Sequence, residues 1–166
     1  MDYQEGKMKF IQSWGTMGSG WGISRAMAEV HALLLISQEP LTTDGVMEAL
    51  KISRGSANTN IRELIDWGLV YKVLRQGERK EYFEAEKDLW KVMRQIVIQR
   101  KKKELEPMLK VLDEVSAVHE QCPDSDEFCR MVREIKLFSS KANTSLDRLI
   151  KSDSNWFLKV FMEMIR

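Results

Sequence analysis

The stretch "ALKISRGSANTNIRELIDWGLV", Ala49 to Val70, decides how the rest of the chain is read. It begins and ends apolar, while its middle is crowded with Ser, Arg, Gly, Asn and Thr. Leu50-Lys51-Ile52 closes one helix, and Ser53 is the natural N-cap of the next, since a serine oxygen accepts a backbone N–H that a helix start leaves unpaired. At about 100° per residue, Ala57, Ile61, Leu64 and Ile65 share one face. Gly55, Ser56, Thr59 and Arg62 share the other, with Asn58 at its margin. Gly68 supplies the left-handed residue that ends such a helix.

Upstream, "LTTDGVMEAL" predicts a short helix capped by Thr42 or Thr43, with Asp44 at its positive end and Val46, Ala49 and Leu50 facing inward. Downstream, "LVYKVLR" alternates and is rich in β formers, "QGE" is a turn, and "RKEYFEAE" alternates back, which reads as a hairpin. Two helices joined by a short turn and followed by a hairpin make a winged helix-turn-helix. Further upstream, Ser24 to Ser37 is a helix too apolar on all sides for a surface position (Met27, Val30, Leu33, Leu34 and Leu35), so it belongs at the centre of the fold. His31 lies within that pattern and reads as a packed core or interface residue. Residues 2–17 form a first helix with Met8, Ile11 and Trp14 on one stripe. Between these two helices, "GTMGSGWGIS" has four glycines in eight residues, Gly15 to Gly22. A phosphate-cradling loop would follow a strand and end in Lys-Ser or Lys-Thr; here a helical pattern precedes and no lysine follows, so the segment reads as a turn.

After the hairpin the chain is helical. Leu89, Val92, Met93, Ile96 and Val97 recur at helical spacing. "RKKKELEP" interrupts, with Arg100 to Lys103 read as a solvated face and Pro107 as a kink or a new start. Met108, Leu109, Leu112 and Val115 resume the stripe. After "CPDSDE" another helix carries Phe128, Met131, Val132, Ile135 and Phe138, and "SDSNWFLKVFMEMI" is a last apolar helix. A winged module needs only about 60–80 residues, so this tail has a purpose of its own, for which a dimer interface is the expectation. The fold class is therefore mainly α with a small β-hairpin wing. The organisation is an N-terminal helix with its Gly-rich turn (1–22), a winged helix-turn-helix domain (23–87) and a helical dimerisation region (88–166).

Composition bounds the function. The 166 residues are 43% hydrophobic and 31% charged, as in a folded soluble protein. No apolar run reaches the roughly 20 residues that span a bilayer, and the start "MDYQEGKMKF" is no secretory signal, so the cytoplasm is the expected compartment. Cys122 and Cys129 lack zinc-site spacing, and with two histidines, His31 and His119, no metal or cofactor is expected. No paired-carboxylate constellation, nucleophile elbow or HExxH occurs, so the chain is not read as an enzyme.

Double-stranded DNA is the partner that fits. A helix entering the major groove needs short side chains where it first touches, and Gly55, Ser56, Asn58 and Thr59 meet that need. Arg62, further along, is long enough for a phosphate or a guanine edge. From Ser53 to Arg62 there are two arginines and no acid, and the wing tip sets Arg75, Arg79 and Lys80 against Glu78. Distribution matters more here than the net charge of +1. The candidate DNA contacts are Ser53, Arg54, Ser56, Asn58, Thr59, Arg62, Arg75, Arg79 and Lys80. The alternative is a winged-helix protein-interaction module without specific DNA binding.

The segments "WGTMGSGWGISRAMAEVHALLLI", "LTTDGVMEALKISRGSANTNIRELIDWGLVYKV" and "RQGERKEYFEAEKDLW" together resemble MarR-like winged-helix regulators of the GbsR-type branch. That branch often has a proline before the arginine of the glycine segment, where this chain has Ile23-Ser24-Arg25. The resemblance implies a homodimeric regulator of a pseudo-palindromic operator, commonly a repressor relieved by a small molecule. Some GbsR-type regulators respond to choline. A quaternary ammonium would want an aromatic cage, for which Trp14, Trp21 and Trp90 are the candidates.

Overall fold

A computed structural model of the chain describes residues 1–20, 22–117 and 123–152. Trp21, His119, Cys122 and the expected last helix lie outside the described residues. The chain divides into two compact units, Met1–Val92 and Met93–Arg166.

The first unit is built on α2, Arg25–Ile36, whose Met27, Val30, His31, Leu33 and Leu34 are all buried. Burying one such large aliphatic side chain is worth about 1.5–3 kcal/mol, which is why the most apolar helix sits at the centre. Ser24 caps it by accepting the Met27 N–H at 3.1 Å. Helix α1, Tyr3–Gly20, packs along α2 and runs through most of the segment expected to be a turn. The reason is a close seam. A Cβ added at Gly18 would stand 2.5 Å from Ala28 Cβ, and one at Gly15 would stand 2.6 Å from Glu29 Cγ. Glycine weakens an isolated helix; here it lets two helices approach. Beyond the helix, Gly22 takes a left-handed turn, with φ of 77°. Of the expected stripe on α1, Ile11 is buried, Trp14 is half-buried and Met8 is exposed.

Strand β1, Leu41–Thr42, leads into α3, Thr43–Leu50, capped by Thr42, which accepts the Gly45 N–H at 3.1 Å. Val46 is fully buried and Leu50 partly so, but Ala49 is exposed, contrary to expectation, because α3 has only two turns and its core face is narrow. Lys51 closes it in the left-handed region, at φ of 55°. Helix α4, Arg54–Asp66, follows after three residues, and Gly68, at φ of 71°, ends it. Strands β2, Val70–Val73, and β3, Tyr82–Ala85, form the hairpin, with Lys72 opposite Phe83 and Val73 opposite Tyr82. β1 pairs antiparallel on the other edge of β3, giving a sheet ordered β1-β3-β2. The strands are shorter than expected, and the connection spans 74–81 rather than three residues.

The second unit takes in most of α5, Leu89–Arg100, then a π-helical turn, Lys101–Leu105, α6, Glu106–Val115, and α7, Pro123–Lys151. Pro107 lies at the start of α6, so it begins a helix rather than kinking one. The Glu106 N–H reaches back to the Lys101 carbonyl, five residues away, which makes the turn wide. Leu112 and Val132 are buried. Lys101, expected on a solvated face, is instead mostly buried and donates to Asp147 Oδ1 at 2.7 Å, holding the wide turn on α7. Phe128, Met131, Ile135 and Phe138 form an exposed stripe along α7. Among the described residues no helix is long and apolar enough to cross a membrane.

Candidate nucleic-acid interface

Helix α4 is held against α2 by its core face. Ala57, Ile61 and Leu64 are buried, and Ile65 is half-buried. Ser53 caps the helix, its Oγ accepting the Ser56 N–H at 3.2 Å. Ser53, Arg54, Gly55, Thr59 and Arg62 are exposed, and Ser56 and Asn58 are half-buried. The core face fixes which way the helix turns, and the small polar side chains then line up outward together.

The nine candidate DNA contacts divide by what already holds them. Arg62, Arg79 and Lys80 are exposed and have no hydrogen-bond or ion-pair partner among the described residues. They are the cations most ready to meet phosphate. Arg54 donates to Asp44 Oδ1 at 2.5 Å, although both side chains are more than half exposed. Arg75 donates to Glu39 at 2.9 Å, and its guanidinium lies 4.4 Å from the centre of the Tyr82 ring. The Tyr82 hydroxyl in turn donates to Glu78, the main cause of its raised pKa. Arg75 thus anchors the wing to the loop before β1. Side-chain pairs of this kind, rather than a backbone ladder, organise the 74–81 connection. An open groove of about 190 Å³, lined by Thr42, Thr43, Asp44, Arg54, Lys80 and Glu81, lies where the start of α3, the start of α4 and the returning wing meet.

Two side chains that sequence reasoning did not assign to this surface hold it. Asn60 is buried on the core face, and its amide donates to Ser56 O at 2.8 Å and Ser56 Oγ at 3.3 Å. Its Oδ1 accepts from Ser24 Oγ at 3.5 Å, joining α4 to the cap of α2. The signal was available: Asn60 is three residues from Ala57 and four from Leu64, which puts an amide among core positions. The other is Thr43, whose hydroxyl donates to Asn58 Oδ1 at 3.2 Å. Nothing in the sequence pairs two residues fifteen apart.

Of the expected aromatic cage, Trp14 sits with its ring centre 5.5 Å from Phe10 and 6.1 Å from His31, and Trp90 is half-buried near the start of α5. His31 is the buried residue it was expected to be. Burial, and secondarily the charge of Lys87, lowers its pKa to about 4. Lys87 itself donates to the carbonyls of Leu34, Leu35 and Ser37, at 2.8, 2.6 and 2.9 Å, clasping the C-terminus of α2. Cys129 is half-buried on α7. Among the described residues no group of three potential ligands could hold a metal ion.

The MarR family model matches residues 21–81, the span from the end of α1 to the wing. Among curated proteins, the HTH-type transcriptional repressor GbsR of Bacillus subtilis is 28% identical over 97 residues, covering 58% of this chain and 53% of the relative. The HTH-type transcriptional repressor OpcR of the same organism is 26% identical over 70 residues, covering 42% of this chain and 38% of the relative. The match thus spans about half the length of these relatives or less. A solved structure described as a transcriptional regulator superimposes with a TM-score of 0.66 at 19% identity, covering 87% of this chain and 95% of that one, which establishes the fold. The resemblance read from the three sequence segments is borne out: residues 21–81 are similar to the MarR family, and the relatives matched over part of their length are named as transcriptional repressors.

Proposed function

We propose that this MarR-like winged-helix chain is a sequence-specific, double-stranded-DNA-binding transcription regulator that acts as a homodimer. Residues 23–87 are the reader and 88–166 the dimerising part. Two α4 helices about 34 Å apart enter successive major grooves of a pseudo-palindromic operator. The observation that carries this reading is the outer face of α4: short residues at Ser53, Gly55, Ser56, Asn58 and Thr59, then an exposed and unpartnered Arg62, with Arg79 and Lys80 equally free on the wing. Short groups permit close approach to base edges, and free cations replace counterions on the backbone. Repression is the output favoured by the relatives' names. The cytoplasm is the compartment such a protein needs.

The test is selection of bound duplexes from a random pool at two salt concentrations. An enriched inverted repeat supports a dimeric reader. Binding that is only salt-sensitive, or absent with and without cell extract, points to the protein-interaction module instead. Gating by a small molecule is part of the same proposal: an effector that changes the separation of the two readers lowers affinity without altering either reading surface. Aromatic faces such as Trp14, Trp21 and Trp90 suit a quaternary ammonium, so choline is the first compound to titrate against the operator complex.

A further inference from the structure

We propose that Thr43 is a positioning residue for sequence reading: its hydroxyl holds the Asn58 side chain in place and thereby fixes the base edge to which the Asn58 amide donates. This rests on the DNA-binding reading above. Thr43 is half-buried at the first position of α3, and its hydroxyl reaches across the turn to Asn58 Oδ1 at 3.2 Å. An amide oxygen has no proton, so the hydroxyl is the donor. The oxygen end of Asn58 is thereby turned toward α3. Its nitrogen end finds no acceptor among the described residues, so two N–H donors remain available on a half-exposed side chain beside the outer face of α4.

A capping role does not account for Thr43. The cap of α3 is the preceding residue, Thr42, whose oxygen already accepts the Gly45 N–H. The contrast with Asn60 is equally informative. Asn60 uses both ends of its amide inside the protein, on Ser24 and Ser56, as a structural amide does. Asn58, two residues earlier, is held at one end only. Thr43 also lines the groove that contains Arg54 and Lys80, so the bond lies at the surface where the other candidate contacts gather.

The consequence is chemical. An amide presenting donors selects acceptors, which in the major groove are purine N7, guanine O6 and thymine O4. Without the Thr43 hydroxyl the Asn58 side chain loses its tie at Oδ1, and the amide is free to change rotamer and offer its oxygen to the amino groups of adenine or cytosine. Discrimination at that base pair is then lost, while the rest of the motif stands.

The experiment is the random-duplex selection run on wild-type protein, Asn58→Ala, Thr43→Val and Thr43→Ser, with thermal melting of each. Asn58→Ala identifies the base pair that Asn58 reads. At that position Thr43→Val is expected to reduce a preference of about tenfold to near parity, with other positions and the melting temperature close to wild type. Thr43→Ser keeps the hydroxyl and should keep the preference. An unchanged motif in Thr43→Val, or equal effects of Val and Ser, overturns the proposal. So does a uniform weakening across the motif with a lowered melting temperature, which marks Thr43 as a structural tie. If Asn58→Ala leaves every position intact, Asn58 is not a reader and the proposal falls alone. No motif with wild-type protein removes the DNA-reading surface itself, and this inference with it.

Discussion

Among single residues, those that matter most to the proposed function are sorted by their partners. Arg62 stands unpartnered on the reading helix, whereas Arg79 stands unpartnered on the wing. Arg62→Ala is therefore expected to cost roughly 1–3 kcal/mol of operator affinity and relax preference at one base pair, and Arg79→Ala to weaken all sequences alike. Titration of both variants against operator and scrambled duplexes separates the two outcomes; wild-type binding by both removes the docking surface. Asp44 pulls the other way. Its carboxylate pairs with Arg54 beside the surface meant for phosphate. Asp44→Asn should release Arg54 and tighten DNA binding, steepening the salt dependence by about one phosphate contact. An unchanged slope would show that Arg54 takes no part. His31 carries the pH dependence. Buried and neutral, it titrates near 4 in the fold against 6.5 in an open chain. Between those values the unfolded chain binds a proton that the fold does not, so stability falls as the pH drops through this window. The loss between pH 7 and pH 5 should be about 2 kcal/mol. Urea midpoints at the two pH values measure it, and His31→Leu should abolish most of the difference.

At the level of elements, what the sequence revealed and what it hid follow from the range of the forces. Helices α2, α3 and α4 were legible, with the cap of α4 at Ser53 and that of α3 narrowed to Thr42 or Thr43, because capping and amphipathic spacing are local. The exposed polar face of α4 was legible for the same reason, since a core face defines its opposite. β1 was not, because two residues become a strand only when β3 is brought alongside. The glycine segment was misread in the same way: its helical state depends on α2, which supplies Ala28 and Glu29 at contact distance. This gives a paired prediction. Gly18→Val should cost about 1–3 kcal/mol by forcing α1 off α2. Gly20→Ala meets nothing within 4 Å and should stay within about 0.5 kcal/mol of wild type. Chemical denaturation of the two variants is the check, and equal effects would mean that the seam is not tight. The ties that hold the reading surface, Thr43 to Asn58 and Ser24 to Asn60, join residues far apart in sequence, and only the folded chain shows them.

On the scale of the whole molecule the question is why a winged module is followed by so much helix. Unit two buries Leu112 and Val132 but leaves Phe128, Met131, Ile135 and Phe138 exposed at spacings of three, four and three on α7. A stripe of that kind on a solvated helix is a surface made to be covered, and the proposed dimer assigns it to a second copy of the chain. Two linked readers gain over one because the second half-site is engaged at a high effective concentration, worth a factor of about 10²–10⁴. Ile135→Asp places a charge in the middle of the stripe. Its position is 42% exposed, so the variant should fold as the wild type does by circular dichroism. Sedimentation should then show a monomer, and operator affinity should fall by about 100-fold or more. Preference within each half-site should persist, because the reading surface belongs to the first unit. A variant that stays dimeric and binds as tightly as wild type would detach this stripe from assembly and leave the dimerising contact to be sought elsewhere on the chain.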